Sequence, residues 1–115
     1  MLHLALRIEP NFTAALANLG AVYAQQSRYG ESLPYYRQAF AQDPAFVNLI
    51  PNYVLALVSR AAEEQRAGRG LVAVTLLHEA LAVKPADAEA QRQLQALLAA
   101  RVSAGAEPPG PPPTR

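Results

Sequence analysis

The stretch PNFTAALANLGAVYAQQSRYGESLPYYRQAFAQDP, residues 10–44, decides the fold. Within it Leu16, Leu19, Gly20 and Tyr23 recur at i, i+3, i+4 and i+7, one face of a helix. Ser32, Tyr36 and Ala39 recur at i, i+4 and i+7 on a second helix, and residues 26–30 separate the two. Gly20 and Ala39 are small where the helices of a hairpin must touch. Tyr23 and Tyr36 fill the space beside them. Such a helix–turn–helix unit buries its face against a neighbouring unit.

Outward from this unit the chain repeats itself. ALRIEPNF (5–12), AFAQDPAF (39–46) and ALAVKPAD (80–87) each close an apolar helical pattern with a charged residue and a proline. Pro10 and Pro44 are 34 residues apart, and Pro44 and Pro85 are 41 apart. The extra seven residues are about two helical turns, an insertion that nearly preserves the inward face. They are placed in the helix between Phe46 and Ala67. A period of this size marks stacked helical repeats.

The signature of Leu16, Leu19, Gly20, Tyr23, Ser32, Tyr36, Ala39 and Pro44 resembles that of the tetratricopeptide repeat family. That signature is a large residue, Leu-Gly, Tyr, a small residue, an aromatic, Ala and Pro. Leu16 stands where the family often has Trp, and Ser32 where it usually has Ala. In the second unit Gly68, Ala73, Leu77, Ala80 and Pro85 match the turn glycine, small, large, Ala and Pro positions. Its first helix departs. Counted back from Pro85, Leu-Gly falls on Arg60-Ala61 and Tyr on Glu64; counted forward from Pro44, the face is Ile50, Tyr53, Val54 and Leu57. The forward count is preferred near the helix start, and residues 60–66 are expected to protrude or line an edge.

The resemblance implies an all-α fold, a right-handed superhelical array of antiparallel helix hairpins. Residues 1–10 then form the closing helix of an incomplete repeat, 11–44 a full repeat, and 45–85 a repeat with a longer first helix. Residues 86–102 form a terminal capping helix whose Gln and Arg side chains suit a solvated side, with Asp87 as its N-cap. Residues 103–115, SAGAEPPGPPPTR, hold five of the ten prolines and form a disordered tail. Pro34 is expected near a helix start, where a missing N–H costs little, and Pro51 at the start or a break of the long helix. Opening on a closing helix, the chain reads as the C-terminal part of a longer array, with Leu2 and Leu6 on an open apolar face.

Composition narrows the function classes. A net charge of +1 leaves no basic stripe for nucleic acid and no basic amphipathic helix for a membrane surface. With Cys 0 there is no disulfide, thiol nucleophile or Cys-based zinc site. His3 and His78 lie far apart without a partner at ligand spacing, so no metal is expected. Gly68-Arg69-Gly70 reads as a helix–helix turn rather than a phosphate loop. No cofactor is implied, and the chain is not read as an enzyme. No signal peptide or transmembrane segment is recognised, so the default compartment is the cytoplasm.

The resemblance also implies a concave groove lined by the first helices of successive repeats. Its candidate residues are Asn18 and Gln25, beside Ala14, Ala17 and Ala21, then Ser59 and Arg66, then Arg92 and Gln93. Asn18 precedes the Leu-Gly pair, as does the asparagine with which family members hold a peptide backbone. With alanine at positions 14 and 17, the cationic clamp for a peptide carboxyl terminus is not expected. The expected partner is an extended segment of another protein. The alternatives are an accessory repeat segment of a larger enzyme, such as a tetratricopeptide-containing glycosyltransferase, and self-association through the first helix.

Overall fold

The computed structural model describes the backbone of residues 10–106 and the side chains of residues 12–101. Among the described residues every regular element is an α-helix: α1 (Pro10–Gln25), α2 (Tyr29–Gln42), α3 (Leu49–Arg66), α4 (Gly70–Val83) and α5 (Ala88–Ala106). Of the closing helix read in residues 1–10, residues 1–9 lie outside the described residues, as do the last nine tail residues, and Pro10 opens α1 instead. Helix α5 runs to Ala106, into the stretch that composition assigned to the tail. No helix among the described residues is long and apolar enough to cross a membrane.

α1 packs along α2, and α3 along α4, across connections of residues 26–28 and 67–69. Helices joined by so short a link and packed along their length run antiparallel. Thr13 near the start of α1 confirms the direction, donating at 2.7 Å to Gln42 Oε1 at the end of α2. Packing of α2 on α3 and of α4 on α5 joins the pairs.

The two tight connections are built alike. Ser27 and Gly68 both take left-handed backbone, with φ of 61° and 85°. In the first, the Arg28 N–H reaches back to the Tyr23 carbonyl at 2.9 Å. In the second, the Arg69 N–H reaches the Glu64 carbonyl at 2.8 Å. These six-to-one bonds close Schellman ends on α1 and α3. At the start of α5, Asp87 Oδ2 accepts from the Ala90 N–H at 2.9 Å, a side-chain N-cap.

One core runs through all five helices, with Leu16, Tyr36, Leu57, Ala61, Leu77, Ala80 and Leu94 among its members. Leu57 and Leu77 have no exposed surface, and each such leucine contributes roughly 1.5–3 kcal/mol of burial. Gly20 lets α1 approach the Tyr36 ring: a Cβ there would lie 2.9 Å from two ring carbons. Leu19, counted with the packed face from sequence, is 44% exposed instead.

Two expectations change. Residues 60–66 do not protrude as a block, since Ala61 is fully buried and Glu64 is 3% exposed, while Gln65 and Arg66 stay exposed and Glu63 and Arg66 line a surface depression. Glu64 is held by Arg60 at 2.8 Å and by a close contact from Arg69. The count back from Pro85 therefore describes this end of α3, and the count from Pro44 its beginning. Pro34 lies inside α2, not in its first turn. Its ring removes the N–H that would bond the Gly30 carbonyl. Pro51 is the third residue of α3, where that loss is harmless.

Candidate functional site

On α1, Ala14, Ala17, Asn18, Ala21 and Gln25 follow helical spacing, with the alanines half-buried and the two amides exposed. On α3 the matching residues are Asn52, Leu55, Ser59, Ala62 and Arg66. Between these faces lie two depressions that share the Tyr29 ring. The first, of about 240 Å³, is walled by Ala21, Ala24, Tyr36, Leu55 and Ala56, with Gln25 and Asn52 as its amides. The second, of about 460 Å³, is polar, lined by Ser27, Ser59, Ala62, Glu63 and Arg66. A third, of about 290 Å³, opens from the other side of Leu55 over Pro51 and Val58 toward Lys84 and Glu89. Leu55, 62% exposed, is the apolar ridge between the first and the third.

The charges are unevenly engaged. Glu63 holds Arg60 at 3.2 Å, and Lys84 lies 3.7 Å from Asp87. Arg66 makes no ion pair among the described residues. Arg92 is bound to Glu89 one turn back, and Gln93 Nε2 donates to the same carboxylate at 2.8 Å. The Gln93 amide, with help from Arg92, holds the Glu89 carboxyl below its ordinary value. Gln93 Oε1 is buried and has no hydrogen-bond partner among the described residues.

The candidates from sequence therefore divide. Gln25 lines the first depression, and Ser59 and Arg66 line the second. Asn18 is exposed one turn before Ala21 and lines neither of these. Arg92 and Gln93 are tied to Glu89 rather than directed to a shared pocket with the others. Sequence reasoning passed over Asn52, Leu55 and Tyr29. For Asn52 a signal existed: it follows Asn18 by 34 residues and precedes Gln93 by 41, the two steps that separate the prolines. His78 is exposed on α4, and His3 lies outside the described residues.

On the opposite flank of the first hairpin, Tyr23 and Tyr35 stack at 5.7 Å with Arg28 over the Tyr23 ring at 4.9 Å. The guanidinium over the ring adds a cation–aromatic contact across the turn.

Comparison of the chain with protein-family models, with curated proteins and with solved structures gives no match.

Proposed function

We propose that the chain is a protein-interaction module of tetratricopeptide type, a right-handed superhelical stack of hairpins that binds an extended polypeptide along the faces of α1, α3 and α5. It acts by binding rather than by catalysis. The observation that carries this reading is the recurrence of Asn18 and Asn52, each eight residues after a proline, on two helices that flank a depression lined by Gln25, Asn52 and Leu55. An amide offers a donor and an acceptor to a peptide group, so it suits a backbone more than any one side chain. Leu55 and the alanines beside it receive an apolar side chain, and Arg66 meets an acidic one.

The test is selection of a random twelve-residue peptide library on the immobilised chain. Selected peptides are expected to lose about thirtyfold in affinity for Asn18→Ala/Asn52→Ala, since each of the two lost amide bonds removes about 1 kcal/mol. Helical circular dichroism is expected to stay unchanged. Peptides that bind the double variant equally well, or no enrichment over a helical control protein, would sink the proposal.

A further inference from the structure

Helix α3 has a depression on each flank. The first, toward α1, and the third, toward the start of α5, meet at Leu55, which lines both. Buried Val54 and Val58 give the third its apolar lining, with Pro51 exposed at its mouth. The two are alike in size, about 240 and 290 Å³. Both fall below the roughly 300–1,000 Å³ of a small-molecule site, so each suits one side chain rather than a whole ligand.

The distance between them selects the conformation of a chain that fills both. Grooves on the two flanks of one helix lie about one interaxial distance apart, roughly 8–10 Å. Side chains on one face of a β-strand are about 6.6 or 13 Å apart, which misses that distance. Polyproline II repeats every three residues with a rise of about 3.1 Å, so residues i and i+3 share a face about 9.3 Å apart. An α-helix matches only through i and i+7, at about 10.5 Å. A helix bonds its backbone groups internally, whereas polyproline II leaves them open to the Gln25 and Asn52 amides at the first depression.

The two ends differ in charge. Lys84, Asp87 and Glu89 line the third depression, two carboxylates against one ammonium. At the other end, Arg66 makes no ion pair among the described residues.

We infer that the third depression is a second side-chain pocket, and that the partner crosses α3 as a polyproline II segment with apolar side chains at i and i+3. An acidic residue lies on its Arg66 side and a basic one on its Glu89 side. This rests on the reading of the chain as a peptide-binding module.

The probes are twelve-residue peptides with Asp at one end, Lys at the other and a proline-free Ser/Ala host between. They carry one leucine, or two at i,i+2, i,i+3 or i,i+7, and are titrated into the isotope-labelled full chain by NMR. The i,i+3 peptide is expected to bind about tenfold tighter than the single-leucine peptide, because a second leucine leaves water. Proline at its two intervening positions is expected to tighten it further, since the bound conformation is then preorganised. Pro51→Trp, which fills the third depression, is expected to erase the advantage of the second leucine. Tightest binding at i,i+2 or i,i+7, no preference among spacings, weakening by the two prolines, or an advantage that survives Pro51→Trp would each overturn the inference. The groove itself would still stand if Asn52→Ala weakened the single-leucine peptide. Binding by none of the peptides would overturn both.

Discussion

Glu64 stands where Tyr23 stands when each is counted from the left-handed residue of its turn, Gly68 and Ser27. Arg28 covers the Tyr23 ring, and Arg69 in the same place grips the Glu64 carboxylate. A cation–aromatic contact has become an ion pair at an unchanged turn. The hydrogen bond from Arg69 holds Glu64 below the ordinary carboxylate range; burial opposes this and is outweighed with help from the charges of Arg60 and Arg69. A carboxyl lowered on folding contributes stability that is present above its unfolded pKa and lost as pH falls through the folded value. The urea midpoint is therefore expected to drop on acidification below about pH 5. Glu64→Gln is expected to lower the midpoint at pH 7 and flatten the acid limb. A variant with the parent's pH profile would show that the pair adds nothing. At Gly20, alanine gains helix propensity but meets the Tyr36 ring at 2.9 Å. Overpacking costs about 1–3 kcal/mol and exceeds the gain of about 1, so Gly20→Ala is expected to lower the melting temperature. Gly20→Ala with Tyr36→Leu is expected to recover part of the loss, because Ala61 and Leu77 occupy the matching positions of the second hairpin, both fully buried.

At the scale of the helix, α2 carries a fault that sequence reading underestimated. Pro34 is the sixth residue of the helix and is exposed. The N–H it lacks would bond the Gly30 carbonyl, and Pro is about 3 kcal/mol worse than Ala inside a helix. Pro34→Ala is expected to stabilise by about 1–3 kcal/mol in urea unfolding. An unchanged midpoint would mean that the proline's restriction of the unfolded chain compensates in full. The first hairpin was legible because Leu16, Gly20, Ser32, Tyr36 and Ala39, all buried, carry the size pattern that packing demands. α3 was half legible. Its 18 residues satisfy one count from Pro44 and another from Pro85, and because the two differ by two turns both mark the same face. Which count rules the far end depends on Glu64, and a charged residue reads as solvated until its partners are known. Arg60 and Arg69 reach it only once the turn has closed. Of the residues lining the depressions, Gln25, Ser59 and Arg66 could be picked out by helical spacing. Leu55 could not, because an exposed leucine gains meaning only when the alanines of α1 stand opposite it.

Across the whole molecule, stability of stacked hairpins is set by each hairpin and by the joints between neighbours. The joint between the first and second hairpins gathers on Tyr53. Its ring lies against Tyr36 and Phe40 of α2, and its hydroxyl donates to Glu79 of α4. Arg37 of α2 reaches the same carboxylate, with its Nε at 2.8 Å from one oxygen and an Nη at 2.9 Å from the other. Burial pushes the Tyr53 hydroxyl well above its ordinary value, helped by its bond to Glu79, so it stays protonated as a donor. For Glu79, burial raises the carboxyl but the bonds from Arg37 and Tyr53 outweigh it and leave it lowered. Three helices thus meet at one carboxylate. With side-chain exposures of 44% for Arg37 and 28% for Glu79, solvent screens the pair, so its own worth is about 1 kcal/mol at most. The joint is tested by coupling rather than by size. In a double-mutant cycle of Arg37→Ala and Tyr53→Phe, the effects on unfolding are expected to be non-additive by about 0.5–1 kcal/mol. Each variant leaves Glu79 a single partner, and the pair leaves it none. Native-state hydrogen exchange on the double variant is expected to show α1 and α2 opening below the free energy at which α3 and α4 open. Additive effects, with all four helices still exchanging together, would place the coupling of the hairpins in the apolar contacts of Tyr53 alone.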